Sequence, residues 1–130
     1  MLVADTNVLI ELFLPTQNSA AVQQWRVADK DWRLPALWVF EFRHVLLKYL
    51  RAERLDLDGA MASLMEAERL FLPQTRSMSS ADALQLAIRH GYSSYDAEFV
   101  VLAKELSCPL LTFDRKLLEL FPDLAVKPGS

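Results

Sequence analysis

Apolar residues along the chain form short unbroken runs, separated by longer stretches in which they recur at helical spacing. The runs predict buried strands at residues 2–4, 70–73 and 109–113, followed by a last edge strand at 124–126. The periodic stretches predict helices at residues 8–13, 20–28, 37–52, 58–69, 83–90 and 116–121, and residues 33–35 are expected to be an extended link. Strands that alternate with helices indicate an α/β domain with three layers, α/β/α, and a central, mainly parallel sheet.

Capping signals place several helix ends. Residues 79–82 match a capping box that opens the helix at 83–90, and Gly91 closes it. Residues 93–96 match a second box, which opens a helix that extends to residue 106. In the helix at 37–52, apolar residues share one side, and Arg43, Lys48 and Arg51 are expected to face solvent.

The size and composition of the chain predict a single domain over residues 1–130. About half of the residues are apolar, which is enough for a core without disulfides. The one cysteine, Cys108, has apolar neighbours and is expected to be a buried structural thiol in a reducing compartment. The apolar start lacks a basic leader and stops at Asp5, far short of a membrane span of about 20 residues. We therefore expect a soluble, cytoplasmic protein.

The formal net charge of −3 argues against binding of nucleic acid by bulk electrostatic attraction. It does not exclude a nuclease, because a divalent cation held by buried acids reverses the local field that a phosphate meets. The three glycines stand far apart and form no phosphate-binding loop, so nucleotide triphosphate chemistry is not indicated. The serines at 77–80 lack a nucleophile-elbow motif, which argues against acyl transfer.

Two aspartates terminate predicted strands. Asp5 and Asp114 each follow an apolar run and precede a helix. Ligands of parallel sheets bind beyond the carboxyl ends of the strands, so both carboxylates are expected at one edge of the sheet. Each also has a purely structural explanation, since Asp5 could form a turn with its own backbone and Asp114 could cap the next helix.

Two further acids are candidates for the same site. Asp96 lies in the first turn of a predicted helix, where a carboxylate is also favoured by the helix dipole. Glu41 interrupts an apolar run, where a charge should face solvent, a partner or a metal. His44, one helical turn from Glu41, could touch the site, although a surface or packed histidine is the alternative. His90 is expected to be a favourable charge at a helix end.

Several carboxylates brought together repel each other and take up protons unless a cation neutralises them. A site built from Asp5, Glu41, Asp96 and Asp114 offers only oxygen ligands, without a cysteine or histidine pair. Oxygen ligands favour Mg²⁺ or Mn²⁺ over Zn²⁺. The sequence therefore predicts a magnesium or manganese site.

Four segments resemble the acidic motifs of PIN domains, especially VapC-like toxins of type II toxin–antitoxin modules. They are VADTN at residues 3–7, LPALW at 34–38 leading to Glu41, SYDA at 94–97, and LTFD at 111–114 followed by Leu117. Their order and separations are similar to those of the family, and they span nearly the whole chain. The resemblance implies a PIN fold, homodimerisation, Mg²⁺ or Mn²⁺ dependence, cleavage of RNA and an inhibitory antitoxin.

Carried over to this chain, the resemblance makes Asp5, Glu41, Asp96 and Asp114 the catalytic and metal-binding acids. It makes Asn7 and Thr112 polar neighbours that orient carboxylates or water. Glu98 could help to hold a second ion, but residues two apart on a helix point to different faces, so a solvent-exposed position is favoured.

Other residues keep two interpretations. The basic residues Arg43, Lys48, Arg51 and Arg54 could contact phosphates or form a solvated helix face. The tryptophans at 25, 32 and 38 could line a dimer face or an antitoxin groove, or belong to the core. An antitoxin helix in such a groove could reach the acids with an arginine.

The leading hypothesis is a metal-dependent endoribonuclease that acts as a toxin. The alternative is a catalytically silent interaction module with the same fold, which would bind no Mn²⁺. A phosphatase or a receiver-like domain fits less well, because Thr6 and Asn7 supply neither the second aspartate nor the lysine that such sites need near the first strand. The sequence does not indicate which RNA is cut, since no recognition module accompanies the site.

Overall fold

The computed structural model describes residues 1–130 and has a five-stranded sheet at its centre, in the order β3-β2-β1-β4-β5. All neighbouring strands pair in parallel. The strands are β1 (Leu2–Ala4), β2 (Trp32–Pro35), β3 (Thr75–Arg76), β4 (Leu110–Leu111) and β5 (Ala125–Val126). Because β1 is the central strand, the residue that follows it lies in the middle of the sheet's carboxyl edge.

Seven α-helices connect the strands. They are α1 (Thr6–Leu9), α2 (Ser19–Ala28), α3 (Trp38–Arg51), α4 (Leu57–Phe71), α5 (Ser80–His90), α6 (Ser94–Leu106) and α7 (Arg115–Leu120). Short 3₁₀ turns follow α1 at Ile10–Leu12 and α4 at Leu72–Gln74. No helix combines the length and the apolar character that crossing a lipid bilayer requires.

Side chains of the sheet alternate between two hydrophobic cores, one on each face. Leu2 and Ala4 of β1 pack into a core with residues of α1 to α4, whereas Val3 packs into a second core with α5, α6 and α7. This alternation is the period of a β-strand, and it buries both faces of the sheet under helices. The predicted three-layer α/β/α architecture is confirmed.

Two predicted elements are wrong. Residues 70–73 do not form a strand, because α4 continues to Phe71 and β3 comes only after the 3₁₀ turn. Ala60, Ala67 and Phe71 share the buried face of α4 at helical spacing, so this apolar run completes a helix face. Residues 33–35, predicted as a link, belong to β2, which pairs with β1 and with β3.

Other expectations are met in the structure. Gly91 closes α5 in the left-handed region at φ 68°, and Cys108 is a buried free thiol. Trp32 and Trp38 are fully buried in the core, which excludes them from any groove or dimer face. Their hydrophobic area therefore stabilises the domain itself.

Candidate active site

Asp5 and Asp114 meet at the carboxyl edge of the sheet because β1 and β4 are neighbouring parallel strands. The Asp5 N–H donates to the carbonyl of Leu111 at 2.9 Å, which extends the pairing of the two strands by one residue. Beyond that point, the Thr112 hydroxyl donates to Asp5 Oδ2 at 2.8 Å and accepts the Asp114 N–H at 2.9 Å. Thr112, fully buried, therefore links the two acids.

Asn7 makes a second bridge between the same two segments. Its Nδ2 donates to Asp5 Oδ2 at 3.4 Å, and its Oδ1 accepts the N–H of Phe113 at 3.2 Å. Asn7 and Thr112 thus both contact Asp5, as the sequence analysis expected of polar neighbours.

Glu41 enters the same region from the first turn of α3. The Thr6 hydroxyl donates to Glu41 Oε1 at 2.8 Å, and Thr6 is only 4% exposed. Thr6 was not among the predicted site residues. The available signal was a hydroxyl directly after a strand-end acid, where it faces the same edge of the sheet as that acid.

Asp96 lies in the first turn of α6 and is half-buried. The predicted capping box is only half formed, since Ser93 accepts the Tyr95 N–H and Asp96 returns no hydrogen bond. The carboxylate of Asp96 is therefore free of protein donors, so its position depends on where α6 begins.

All four predicted acids line one cavity of about 190 Å³, called the acidic cavity below. Its lining consists of Asp5, Thr6, Asn7, Ile10, Glu41, Val45, Asp96 and Asp114. The two apolar residues are Ile10, which directly follows α1, and Val45, in the middle of α3. The cavity is small, and six of its eight lining residues are polar, which suits an ion and a phosphate better than an apolar ligand.

Burial and mutual repulsion disfavour ionisation in the acidic cavity. Burial is the main cause that raises the pKa of Asp5 to about 7; the hydrogen bond from Thr112 opposes the rise, and the charges of Glu41 and Asp96 contribute to it. Burial also raises the pKa of Glu41. It raises the pKa of Asp96 as well, and the charge of Asp114 adds to that rise. A cation would stabilise the ionised forms of these acids, which burial and neighbouring negative charges disfavour.

Glu98 does not fit the prediction of a solvent-exposed side chain. It is half-buried, and burial raises the pKa of its carboxyl group. Its charge also raises the pKa of Glu41, so the two carboxylates are near each other. Glu98 nevertheless does not line the acidic cavity.

The donor set fits a divalent cation in kind, since it consists of carboxylate oxygens, and the pKa values of Asp5, Glu41 and Asp96 are raised. Glu41 Oε2 and both oxygens of Asp96 accept no hydrogen bond from the protein. As the side chains stand, however, no three of them are arranged to hold one ion. Binding of one ion by three of these acids therefore requires a change in their side-chain positions.

Asp114 has the capping role that its position in the sequence predicts, whereas Asp5 does not cap the helix that follows it. Asp114 caps α7, because its Oδ1 accepts the Leu117 N–H at 3.0 Å. Asp5 precedes α1, but its side chain makes no cap hydrogen bond. Asp5 is therefore a buried acid with no capping function, which strengthens its assignment to a site.

The histidines lie away from the acidic cavity. His44 is exposed beside α4, and Val45 occupies the position next to Glu41 that faces the cavity. His90 packs edge-on against Phe121, with ring centroids 4.9 Å apart. Arg43, Lys48, Arg51 and Arg54 are exposed and do not line the cavity, in agreement with a solvated helix face.

A larger, apolar groove of about 430 Å³ lies between α3 and α4. Its lining is Phe40, Arg43, His44, Leu46, Leu47, Leu50, Leu57, Ala60, Met61 and Leu64. Several of these side chains are exposed to solvent, among them Phe40 at 57% and Leu57 at 64%. The groove therefore leaves apolar side chains of two neighbouring helices in contact with water.

Comparisons with known proteins agree with this geometry. A family model described as PIN domain matches residues 2–121. Ribonuclease VapC3 of Pyrobaculum aerophilum is 32% identical over 126 residues, which cover 95% of this chain and 96% of that protein. The crystal structure of PAE2754 from Pyrobaculum aerophilum has a TM-score of 0.76 at 22% identity, covering 95% of this chain and 81% of that chain. A toxin-antitoxin complex from Klebsiella pneumoniae has a TM-score of 0.72 at 18% identity, covering 100% and 99%.

Proposed function

Since this chain belongs to the PIN-domain family, we propose that it is a ribonuclease that hydrolyses RNA phosphodiester bonds at the acidic cavity and acts as a toxin. The observation that carries the proposal is the convergence of Asp5, Glu41, Asp96 and Asp114 on one cavity from four separate segments. The similarity to a protein named Ribonuclease VapC3 along nearly the whole chain supports RNA as the substrate.

The proposed cofactor is Mg²⁺ or Mn²⁺, held by Asp5, Asp96, Asp114 and Glu41. When bound, such an ion orients the scissile phosphate, makes water more acidic and offsets charge on the leaving oxygen. Hydrolysis adds water across one P–O bond, so the chain supplies no covalent intermediate and needs no other co-reactant. The oxygen ligands and the raised pKa values of three of these acids support the assignment.

The polar neighbours hold the carboxylates in place. The Thr112 hydroxyl accepts the Asp114 N–H, so its single proton is committed to Asp5 Oδ2. The Thr6 hydroxyl likewise fixes Glu41 Oε1 and leaves Oε2 free. Hydrogen bonds of this kind orient ligands before an ion arrives, which reduces the reorganisation that binding requires.

Cleavage of a structured RNA with Mg²⁺ or with EDTA tests the proposal. Asp114→Asn removes the charge but keeps an oxygen that can cap α7, so the variant should fold normally while cleavage falls at least about 100-fold. Asp123→Asn, at an exposed position outside the acidic cavity, is the matched control and should cleave like the wild type. Equal cleavage in EDTA, or by Asp114→Asn, would contradict the proposal.

The alternative of a catalytically silent module differs in one observable. It predicts intact folding with no RNA cleavage under any metal condition, and no saturable Mn²⁺ binding. The raised pKa values of Asp5, Glu41 and Asp96 favour the enzyme, because a merely structural cavity gains nothing from acids whose ionisation is disfavoured.

The apolar groove is the proposed docking site of an antitoxin helix. A structural neighbour solved as a toxin-antitoxin complex supports such a partner. The groove and the acidic cavity lie on the same helix, since Arg43 lines the first and Glu41 the second. A partner seated in the groove could therefore place an arginine against the carboxylates and compete with a cation.

The product of the neighbouring reading frame is the protein to test as the antitoxin. It should suppress RNA cleavage by the wild type and have much less effect on Met61→Glu, which places a charge in the groove at a half-exposed position. Met61→Glu should cleave RNA normally without the partner. Equal suppression of both proteins would exclude the groove as the docking site.

Homodimerisation is a further part of the proposal. Leu84 and Ile88 of α5 are 66% and 81% exposed one helical turn apart, and Tyr95 is 63% exposed at the start of α6. A second copy of the chain would remove this apolar surface from water. Sedimentation equilibrium should give the mass of a dimer, and a monomer at all concentrations would contradict this part.

A further inference from the structure

The turn between α5 and α6, residues 91–93, is docked onto α7 by a polar contact. Gly91 ends α5 in the left-handed region, and its carbonyl oxygen has no place in the helix hydrogen bonds. Lys116, in the first turn of α7, donates from Nζ to this oxygen at 2.8 Å. One lysine thus connects the end of α5 with the start of α7.

The same turn meets the far end of α7 through aromatic rings. Tyr92, which follows Gly91 in the chain, packs edge-on against Phe121, with ring centroids 5.7 Å apart. His90, which precedes Gly91, also packs against Phe121. Phe121 directly follows the last residue of α7. The turn and its flanking residues therefore contact both ends of α7, the start through Lys116 and the end through Phe121.

The docked turn leads directly into α6, the helix that carries Asp96. The side chain of Asp96 makes no hydrogen bond, so its position follows from Ser93, the N-cap of α6, which directly follows Tyr92. Asp114 is the N-cap of α7. We propose that Lys116 and Tyr92 are positioning residues, which clamp the α5–α6 turn to α7 and thereby set the separation of Asp96 from Asp114. The role of the clamp in metal binding rests on the proposed function.

Two further observations support the clamp. The charge of Lys116 lowers the pKa of Asp96 against the effects of burial and Asp114, which places the ammonium group close to that carboxylate. The Tyr92 hydroxyl is buried without a hydrogen-bond partner, so the ring, and not the hydroxyl, makes the docking contact. Tyr92→Phe should therefore preserve the clamp, whereas Tyr92→Ala should weaken it.

Hydrogen–deuterium exchange of the metal-free protein tests the clamp directly. In Lys116→Met, amides of residues 92–98 should exchange about fivefold faster or more, while amides of α3 keep their wild-type rates. Arg115→Met removes the same charge from the neighbouring exposed position and should leave residues 92–98 unchanged. Lys116→Arg should restore most of the protection. Unchanged exchange in Lys116→Met, or equal acceleration in Arg115→Met, would overturn the clamp.

Mn²⁺ affinity provides the second readout. Removing a positive charge beside an acidic site should by itself strengthen cation binding. The clamp predicts the opposite for Lys116→Met, namely Mn²⁺ binding about five to ten times weaker at an unchanged melting temperature. Stronger or equal binding would overturn the positioning role. If the wild type binds no Mn²⁺, the proposed function fails, while the exchange experiment still decides whether the clamp exists.

Discussion

Asp5→Asn is expected to make the metal-free protein more stable at neutral pH and to abolish RNA cleavage. Asp5 is 5% exposed, and its pKa of about 7 means that the folded state opposes its ionisation. One pKa unit corresponds to about 1.4 kcal/mol. An amide keeps an oxygen to accept the Thr112 hydroxyl but carries no charge, so we expect a gain in the free energy of unfolding of about 1–3 kcal/mol at pH 7.5.

The same substitution removes a proposed ligand, so cleavage should fall at least about 100-fold. Urea unfolding at pH 7.5 and RNA cleavage with Mg²⁺, measured on the same preparation, check the two effects. Asp123→Asn is the control, because its exposed carboxylate should change neither quantity. A less stable Asp5→Asn, or one that still cleaves RNA, would show that Asp5 is an ordinary structural acid. A substitution that stabilises the protein and abolishes its activity indicates that the replaced charge is kept for function and not for stability.

The second large effect is a loss of stability as the pH rises. The pKa of Asp5 is about 7 in the folded protein and 3.8 as its ordinary value. Between these values the unfolded chain has lost the proton while the folded protein keeps it, so the free energy of unfolding falls with pH. The stabilising effect of protonation is fully present below about pH 4 and is lost by about pH 7. Glu41 and Asp96 act in the same direction.

We therefore expect the metal-free protein to lose on the order of 2–4 kcal/mol of unfolding free energy from pH 5 to pH 8. The paired acids Asp29, Asp31 and Glu66 have lowered pKa values, but each lies at least partly in contact with solvent and acts below about pH 4, outside this range. Urea unfolding in EDTA across this range is the measurement. Saturating Mn²⁺ should flatten the curve, because a cation favours the ionised acids, with about 2.7 kcal/mol of stabilisation at 100 times its Kd. A metal-free protein that becomes more stable toward pH 8 would contradict the expectation.

The acids of the acidic cavity could be predicted from the sequence because each lies at or near the end of a strand or a helix. An apolar run followed by Asp5 or Asp114 places a carboxylate at the sheet's carboxyl edge whatever the exact strand order. Glu41 was identified by its apolar surroundings, and Asp96 mainly by the resemblance to PIN domains. Local patterns thus carry much of the site, since each acid is tied to the end of its own element.

Other features depend on contacts that no local pattern contains. Leu70 and Phe71 have the composition of a strand, but Phe71 completes the buried face of α4 against Trp32 and Trp38. Trp32 likewise begins a strand because β1 lies beside it. Thr6 becomes a site residue only when α3 brings Glu41 within 2.8 Å of it. Such pairings join residues far apart in the chain, and only the folded structure gives them.

The clamp illustrates the same limit. Gly91 and Lys116 were each explained locally, as a helix end and as part of a short helix. Their contact joins two helices and has no counterpart in the spacing of either segment. Its proposed consequence, the placing of Asp96, follows because the carboxylate of that residue makes no hydrogen bond.

Calorimetric titration with Mn²⁺ at pH 7.5 tests most directly whether Asp5, Glu41, Asp96 and Asp114 hold a divalent cation. The wild type and Asp123→Asn should show the same saturable binding. Asp96→Asn and Asp114→Asn should bind Mn²⁺ at least about tenfold more weakly, while remaining folded. Absence of saturable binding to the wild type, or equal affinity in all four proteins, would contradict the account.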